Sequence, residues 1–318
     1  FCSFTIGKGS TYQLKGMMIV ITENQKNELI QHVANFVGMA SIRLPDDVMA
    51  RLQEMRDNET KPSAITLYDI MIGNQKRAVE VKRPTCQDTG IVHLYVRAGA
   101  FSPYLNVLTD VINQAVVKAT QQTPLRLNAV ETFDEYNTGT NVGTGVPYIE
   151  WTIVPDSDKI EMDVYFAGGG CSLPGKSAVL MPAKGYEGIV DFVLDIVTDR
   201  GVNACPPLAI GVGIGGCITT ATHLSKKALL RKVGSHNPNP KVAEFENILS
   251  DAINKIGVGP QGLGGSESLL GLNVETICRH PATLAVSVST GCWAHRRATL
   301  AIDKDGNCDM ITHKGAVI

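Results

Sequence analysis

The amino-acid sequence predicts a mixed α/β (α+β) fold, a single domain in which helices flank the strands of a sheet. Apolar residues at helical spacing dominate the first quarter of the chain, and apolar runs of strand length follow from residue 91 onward. The 318 residues suffice for one large domain or two ordinary ones. No internal repeat, low-complexity run or linker divides the chain, so we expect one domain that combines both kinds of element.

The helical pattern begins at residue 23, where apolar side chains three and four residues apart line one face. The same spacing returns after Pro45, and a third helix is predicted after Pro62. The apolar positions of the first two helices are Leu29, Ile30, Val33, Phe36 and Val37, then Val48, Leu52 and Met55. Further helices are predicted at residues 104–120, 189–197 and 219–231, and from Pro240, a residue suited to a first helical turn.

Strands are predicted where apolar residues alternate with polar ones or form short continuous runs. Between Ile160 and Phe166 the alternating residues are Glu161, Asp163 and Tyr165, which predicts a strand that is buried on one face only. Residues 82–90 carry no such pattern and are predicted to form a loop. The other strands are predicted at residues 91–97, 149–154, 208–214, 272–277, 283–289 and 297–302.

Composition and charge argue against several classes of protein. The 29 basic and 31 acidic side chains give a net charge of -2, which does not favour a nucleic-acid or anionic-membrane partner. No apolar run reaches the ~18 residues of a membrane span, and no signal peptide pattern opens the sequence. We therefore predict a cytoplasmic protein whose eight cysteines are thiols. Residues 1–16 lack periodicity and are predicted to be a non-native or disordered extension, with the domain at residues 17–318.

Two glycine-rich motifs imitate nucleotide-binding sites. Residues 170–177 match the P-loop pattern, but Pro182 leaves little room for the helix that should follow, and Pro174 lacks one N–H group. We interpret this segment as a glycine turn with a surface lysine, and keep a nucleotide P-loop as an alternative. Residues 211–216 match the dinucleotide fingerprint, but His236 stands where an acidic residue would hold the ribose. Close packing of a strand against a helix is the preferred interpretation.

Three cysteines, Cys86, Cys205 and Cys292, lie in loops that proline or glycine residues mark. Loops at strand ends frequently carry binding and catalytic residues. The chain has no Cys-x-x-Cys or His-Glu-x-x-His pattern, which excludes zinc ribbons, ferredoxin-type cluster runs and zincins. Spacing and composition alone do not distinguish these three cysteines from buried structural thiols.

From about residue 24 to its end, the chain resembles the class I fumarase superfamily of iron–sulfur hydro-lyases. The likeness covers the α subunits of two-chain members and the N-terminal domain of single-chain members. It is carried, in order, by Cys86-Gln-Asp-Thr-Gly90, Leu125-Arg-Leu-Asn128, Gly168-Gly-Gly170, Cys205-Pro-Pro207, Gly211-Val-Gly-Ile-Gly215, Leu224-Ser-Lys-Lys-Ala228 and Arg279-His-Pro281, with Cys292 beyond. The resemblance implies the fold of that N-terminal domain and a catalytic role for residues 17–318.

The resemblance also implies a cofactor. Cys86, Cys205 and Cys292 would each bind one iron of a [4Fe–4S] cluster, which normally takes four thiolates. The fourth iron, without a cysteine ligand, would act as a Lewis acid on the leaving hydroxide. An aerobically prepared sample is expected to lack the cluster in part or altogether. A non-catalytic iron–sulfur binding module is an alternative from a different class of protein.

Several further residues take roles that the resemblance implies. Gln87 and Asp88 would meet the substrate beside the cluster, and His280 would orient or protonate it. Arg126 would bind a substrate carboxylate through its guanidinium group, and Gly169 would contribute a backbone contact. The remaining cysteines match no ligand position. Cys171, Cys217 and Cys278 are interpreted as small buried residues, Cys308 as inert, and Cys2 as part of the extension.

A partner and a substrate complete these expectations. The chain ends 26 residues after Cys292, before the second domain of single-chain members, so we expect a separate β subunit and an α2β2 assembly. The expected reaction is dehydration of a small dicarboxylate, L(+)-tartrate, to oxaloacetate and water. Interconversion of fumarate and malate by a class I fumarate hydratase is the alternative. Ser172 and His295 are candidates for contacting the second hydroxyl of tartrate.

Overall fold

Eight α-helices and eleven β-strands occur within residues 21–316, the part of the chain that the computed structural model describes. The predicted extension at residues 1–16, with Cys2, lies outside the described residues. The helices are α1 (Glu23–Ile42), α2 (Asp46–Asn58), α3 (Pro62–Val81), α4 (Leu108–Gln122), α5 (Gly169–Ser172), α6 (Gly185–Arg200), α7 (Ile218–Ala228) and α8 (Pro240–Ile256). The strands are β1 (Ile91–Gly99), β2 (Val130–Glu131), β3 (Tyr136–Asn137), β4 (Tyr148–Val154), β5 (Ile160–Ala167), β6 (Lys176–Leu180), β7 (Leu208–Gly216), β8 (Leu269–Arg279), β9 (Leu284–Gly291), β10 (Arg297–Ile302) and β11 (Cys308–Met310).

Local sequence signals explain where the longer helices begin and end. Thr22 caps α1 by accepting the backbone N–H of Gln25 at 3.3 Å, and the Gln25 side chain accepts the Thr22 N–H in return. Asn239 caps α8, Pro240 occupies its first turn as predicted, and Gly257 ends it in the left-handed conformation. The predicted helices are all present, although α4 begins at Leu108 rather than at residue 104.

The first sheet contains five strands in the order β11-β10-β5-β1-β4, with β1 and β4 parallel and the other pairs antiparallel. One face of this sheet packs against α1 and α4 and forms a continuous apolar core. Residues of that core include Val33, Phe36, Val92, Leu94 and Val116, all 1% exposed or less. This burial supplies the hydrophobic free energy that holds the N-terminal helices to the sheet.

Strand β5 differs from its sequence-based prediction because it is buried on both faces. Tyr165 is 1% exposed and Asp163 is 9% exposed, although both stand at the positions predicted to face solvent. The cause is the position of β5 between β1 and β10, with further structure packed on the second face of the sheet. Asp163 is tolerated there because it accepts hydrogen bonds from Arg97 and Thr299, at 3.0 and 2.6 Å.

The second sheet has the order β6-β9-β7-β8, with β7 and β8 parallel. Helices α6 and α8 cover one face through a second apolar core, and α7 covers the other. Helix α7 also reaches the first sheet, since its residue Lys227 forms an ion pair with Glu150 of β4 at 2.9 Å and the His223 ring lies 3.0 Å from the same carboxylate. The helix is therefore a layer between the two sheets.

The glycine-rich motifs are structural, as interpreted from the sequence. A Cβ atom at Gly211 or Gly213 would overlap backbone carbonyl oxygens of α7, so these glycines allow β7 and α7 to pack closely. In the P-loop-like segment, Lys176 and Ser177 begin β6 rather than a helix. The segment therefore lacks the long helix whose N-terminus would hold phosphate. Strand β6 itself was not predicted. No helix among residues 21–316 is long and apolar enough to cross a membrane.

Candidate active site

Cys205 and Cys292 meet at one end of the two central strands of the second sheet, β7 and β9. Cys205 precedes β7 and Cys292 follows β9, and these strands are antiparallel with Ala209 opposite Gly291. The start of β7 and the end of β9 therefore lie side by side. A hydrogen bond joins the two loops directly, from the N–H of Trp293 to the carbonyl oxygen of Cys205 at 3.2 Å. Cys205 itself has a φ angle of 53°, an uncommon left-handed conformation for a residue with a side chain.

Cys86 belongs to the loop between α3 and β1, and its neighbour Thr85 holds that loop in place. The Thr85 N–H donates to the carbonyl oxygen of Ser41 at 2.9 Å, and its hydroxyl donates to that of Ile42 at 2.7 Å. Both acceptors lie at the end of α1. Because Thr85 is buried, these bonds fix the backbone from which the half-buried Cys86 projects.

A fourth thiol, Cys171, accompanies these three, and the sequence analysis did not assign it to the site. It lies on the short helix α5, directly after the glycine turn, and its thiol donates to the carbonyl oxygen of Gly168 at 3.4 Å. Its carbonyl oxygen accepts from the Thr290 hydroxyl at 2.5 Å. A Cβ atom at Gly168 would stand 3.2 Å from the Cys171 sulfur, so the turn needs glycine there. The position of Cys171 directly after the Gly168–Gly170 turn was the feature of the sequence that could have assigned it to the site.

The thiols influence one another electrostatically, which places them in one group. Burial raises the pKa of Cys205, and negative charge on neighbouring groups raises it further. Those neighbours are Cys86, Cys171 and Asp88. The pKa of Cys292 is also raised, first by the neighbouring Cys171 thiol and then by burial, while the Cys292 side chain lowers the pKa of Cys171. Several thiolates here would repel one another unless a cation lay among them.

The Asp88 carboxylate joins the Cys86 loop to the glycine turn. Its Oδ2 accepts the N–H of Gly169 at 2.8 Å, and its Oδ1 accepts the N–H of Gly90 at 3.0 Å and the Asn128 amide at 3.3 Å. Asp88 therefore caps a turn and lies beside the thiols at the same time. The Gly169 N–H is already used by this carboxylate, and any substrate contact of Gly169 would have to share or replace that bond.

Arg126 and Gln87 present exposed side chains at this face. Thr89 positions the backbone of Arg126, since its hydroxyl oxygen accepts the Arg126 N–H at 3.1 Å. Among residues 21–316, no carboxylate forms an ion pair with Arg126. Its guanidinium group is thus available for an external carboxylate. The Gln87 side-chain oxygen accepts from the Cys86 thiol at 3.5 Å.

His280 lies away from the thiols, beyond the C-terminal end of β8. It follows β8, whereas Cys292 follows β9, and the whole of β9 separates the two. The eight residues of β9 span about 26 Å in extended conformation. The His280 ring is exposed, and its Nδ1 accepts the N–H of Ala282 at 3.1 Å. A single chain does not bring His280 to the thiols, so its catalytic role stays a prediction.

The prediction that Cys171, Cys217 and Cys278 are buried is correct only for Cys171. Cys217 and Cys278 are exposed. Both lie near the end of the second sheet that is opposite Cys205 and Cys292, at the N-terminus of α7 and near the end of β8.

Two polar atoms near the thiols have no hydrogen-bond partner within residues 21–316. The Ser172 hydroxyl, on α5, is buried and unpaired, and so is Nδ1 of His295. Nε2 of His295 lies 2.8 Å from the carbonyl oxygen of Leu229, and burial lowers the pKa of this histidine to about 4. Buried polar atoms without partners are uncommon and point to a missing ligand or water.

Thiols from three loops and the short helix α5, a positioned carboxylate and an unpaired guanidinium therefore converge at one end of the central strands of the second sheet. Thiolates favour soft metals, including iron–sulfur clusters, and the guanidinium favours an acidic substrate. Within residues 21–316, no three His, Cys, Asp or Glu side chains are close enough to hold a single metal ion. Ligands of a cluster bind different irons and stand farther apart than ligands of one ion. A site of this kind is suited to binding an anionic substrate beside a thiolate-held group.

Comparison with known proteins identifies the family. The sequence profile of the family described as fumarate hydratase (fumerase) matches residues 30–301, and the chain belongs to this family. The chain is a hydro-lyase, and family membership implies an iron–sulfur cofactor in general. It is 50% identical over 287 residues to the L(+)-tartrate dehydratase subunit alpha of Escherichia coli (strain K12), covering 90% of this chain and 95% of that protein. The putative L(+)-tartrate dehydratase subunit alpha of Methanocaldococcus jannaschii is 36% identical over 269 residues, covering 84% and 94%.

Proposed function

We propose that this chain is the α subunit of an iron–sulfur hydro-lyase that dehydrates L(+)-tartrate to oxaloacetate and water. The observation that carries the proposal is the convergence of Cys86, Cys205 and Cys292 from three loops beside Asp88 and the unpaired Arg126. The names of the relatives support the substrate, and the match to 95% of the Escherichia coli protein makes that support extend over the whole site.

The residues present fit a [4Fe–4S] cluster held by three cysteines. Cys86, Cys205 and Cys292 project from separate loops, as is needed when each thiolate binds a different iron. The pKa values of Cys205 and Cys292 are raised, which favours their protonated forms, and metal binding would offset that cost. When bound, such a cluster supplies a Lewis acid that stabilises a departing hydroxide.

Binding and orientation of the substrate fall to this chain's own side chains. Arg126 would bind a carboxylate of tartrate through two parallel N–H···O bonds, because its guanidinium group faces no internal acid. Gln87 offers an amide oxygen and nitrogen at the same exposed loop. Asp88 would act chiefly by holding that loop against the glycine turn, since its oxygens accept three N–H groups from the protein.

Tartrate differs from malate by one hydroxyl group, which needs a polar partner. The Ser172 hydroxyl is buried beside the thiols and has no partner among the described residues. We propose Ser172 as the residue that hydrogen-bonds this second hydroxyl. His295 is the other candidate, but its ring already uses one nitrogen on a backbone carbonyl and is almost fully enclosed.

The openness of the site supports a partner subunit. Gln87, Arg126 and Gly169 are exposed, whereas elimination chemistry is favoured in a site that excludes water. Exposed apolar side chains lie in the same loops as the site residues, and such a rim is typical of a protein interface. They are Leu127, Leu173 and Val202, which are 45%, 57% and 53% exposed, with Leu263 at 60% on the adjoining loop. A β subunit in an α2β2 assembly would cover this face.

Serine variants test the ligand assignment. Anaerobic reconstitution of the chain should give about four irons per chain. Cys86→Ser, Cys205→Ser and Cys292→Ser should each abolish stable incorporation, measured as iron content and visible absorbance. Cys217→Ser, an exposed thiol outside the site, is the matched control and should incorporate normally. Loss of the cluster in Cys171→Ser, with retention in one of the three, would show that the ligands are assigned wrongly.

Kinetics with the complete complex test the substrate. We expect kcat/KM for L-tartrate to exceed that for malate by more than ~100-fold. A polar group that hydrogen-bonds the second hydroxyl of tartrate has no partner when malate binds. Ser172→Ala should lower kcat/KM for tartrate at least ~10-fold and change that for malate little. Ser63→Ala, an exposed serine on α3, is the control. Equal efficiency on malate or fumarate would favour a class I fumarate hydratase, and a cluster without turnover of any of the three would favour a binding module.

A further inference from the structure

Strand β4 forms an open edge of the first sheet. It pairs with β1 on one side, and no strand among residues 21–316 pairs with its other side. Apart from the ladder with β1, no hydrogen bond within the described residues reaches the backbone of residues 148–153. Outward N–H and C=O groups of this strand therefore have no partner in the described part of the chain. A row of such groups is a template for pairing with another strand.

The other three sheet edges are short or blocked. Strand β11 has three residues, and β6 has five and begins with a lysine, which discourages pairing at an edge. On β8, side chains occupy the outer backbone groups. The Val274 N–H donates to the Glu246 carboxylate at 2.8 Å, and the Val274 carbonyl oxygen accepts the Asn237 amide at 2.9 Å. Strand β4 has seven residues and none of these protections.

The apolar face of β4 extends beyond the helices that cover the sheet. Trp151 and Ile153 are in register with Val96 and Ala98 of β1, which are buried in the core beneath α1 and α4. Trp151 and Ile153 are nevertheless 37% and 52% exposed, and Phe101, beside the end of the strand, is 70% exposed. Apolar surface next to an open strand edge is typical of an interface.

The sequence of β4 is complementary to itself. Pro147 and Pro155 flank the strand and lack the N–H group that a ladder needs, so pairing is confined to residues 148–154. Two copies related by a two-fold axis pair antiparallel, and all seven residues pair only when Trp151 stands opposite the same residue of the second copy. This register also places apolar residues opposite apolar residues, namely Tyr148 opposite Val154 and Ile149 opposite Ile153.

Charge does not oppose this pairing. Glu150 is the only charged residue of β4, and it would stand opposite Thr152 rather than opposite another acid. Its carboxylate is already paired within the chain, with Lys227 at 2.9 Å. An unrelated partner would need a matching strand of its own, whereas a second copy supplies one whose length and side chains fit. The observations therefore favour a second copy as the occupant of this edge.

We infer that β4 pairs with β4 of a second copy, which joins the two first sheets into one continuous sheet about a two-fold axis. The contact uses a different surface from the apolar rim of the thiol site, so it is compatible with a β subunit there. It depends on neither the cluster nor the substrate. Seven residues a side fall short of the roughly 20 to 30 of a standard interface, so we expect a dimer that dissociates on dilution.

Charged residues at the two-fold axis test this pairing and its register. Analytical ultracentrifugation of the full chain alone should show a shift from monomer to dimer mass between about 1 and about 100 µM. Trp151→Lys and Trp151→Glu should each lower the association constant at least ~10-fold, because like charges directly opposite destabilise a strand pair. An equal mixture of the two variants should recover the dimer, because lysine then stands opposite glutamate.

Phe133→Lys and Phe133→Glu are the matched controls. Phe133 is 100% exposed between β2 and β3, outside the inferred contact, and both variants should associate like the parent chain. A parent chain that stays monomeric throughout would overturn the inference, and so would Trp151 variants that each dimerise like the parent. A mixture of folded Trp151 variants that is no more dimeric than either component would also overturn it.

Amide hydrogen exchange of the parent chain provides a measurement that needs no variant to fold. Exchange of the outward amides of residues 148–154 should slow at least ~3-fold between the dilute and the concentrated sample, while the amides of β11 stay unchanged. Slow exchange of all β4 amides in the dilute monomer would show that another part of the chain covers this edge, and would overturn the inference. Iron content and turnover enter neither measurement, so failure of the proposed function and failure of this inference are distinguishable.

Discussion

Single residues in this chain combine roles that sequence reasoning treats as alternatives. Asp88 is expected from the resemblance to meet the substrate, and the structure shows that its carboxylate also caps a turn beside the thiols. Cys171 is interpreted as a small buried thiol, which is correct, and its carbonyl oxygen also accepts the Thr290 hydroxyl, two residues from the proposed ligand Cys292. A motif reports which residue types are present, whereas the partners of a side chain depend on loops distant in sequence.

The partly buried histidine of β1, His93, makes stability depend on pH. Burial and the charge of Lys226 lower the pKa of His93 from 6.5 to about 4, and its Nδ1 has no partner among residues 21–316. The folded state therefore resists protonation, and the unfolded state binds more protons between these two values. The free energy of unfolding should fall as the pH drops through this window, by on the order of 2 kcal/mol for this residue.

His93→Gln tests this expectation. Denaturant unfolding at about pH 7 and about pH 4.5 should show a smaller loss of stability in the variant than in the parent chain, because glutamine does not titrate. His236→Gln, an exposed histidine with 62% of its side chain accessible, is the matched control. Equal losses in the parent and His93→Gln would mean that His93 contributes nothing to the acid sensitivity.

At the scale of elements, the β7–α7 pair organises the centre of the molecule. Strand β7 carries glycine at alternate positions toward α7 and apolar residues toward α6 and α8. Because these glycines have no Cβ atom, α7 packs closely on β7. On its other side, His223 and Lys227 of the same helix contact Glu150 of the first sheet. The sequence analysis predicted this close packing, and it is confirmed.

Alanine at Gly213 should therefore destabilise the protein. The added Cβ would overlap the carbonyl oxygen of Ala221 and stand 2.6 Å from the nitrogen of Ser225, and backbone atoms of a helix cannot move aside locally. We expect a loss of about 3 kcal/mol in the free energy of unfolding. Gly73→Ala, on α3, is the opposite case, since its Cβ would meet nothing within 4 Å.

Gly73→Ala should raise the free energy of unfolding by up to about 1 kcal/mol, because alanine is the better helix former. Urea unfolding of both variants measures the two effects in one experiment. A neutral Gly213→Ala would show that α7 does not pack on β7 as closely as described.

At the scale of the whole molecule, five layers run from α1 and α4 through the first sheet, α7 and the second sheet to α6 and α8. The thiols lie at one edge of the second sheet, and the Cys86 loop joins them there from beside the first. The resulting face is open and rimmed by exposed apolar side chains. His280 follows the C-terminal end of β8, at the opposite end of the strands. The two ends of this sheet therefore present different side chains.

Dependence on a partner is expected at this scale. The chain alone should take up the cluster but turn over no tartrate, because the open face leaves the substrate in contact with water. Co-expression with a β subunit should give an active complex of α2β2 mass, measured by light scattering and initial rates. Leu173→Asp, in the apolar rim, should weaken assembly while iron content is retained. Full activity of the isolated chain would contradict the requirement for a partner.

The sequence by itself determined the helices, most strands and the close packing at β7, because hydrophobic periodicity and glycine placement are local properties. The family also followed from sequence, through resemblance, and the assignment of Cys86, Cys205 and Cys292 as cluster ligands stays a prediction. The tertiary structure alone decided that β5 is covered on both faces and that Cys217 is exposed. Burial of a side chain depends on which distant elements cover it, and alternation along one strand carries no information about the layer packed above it.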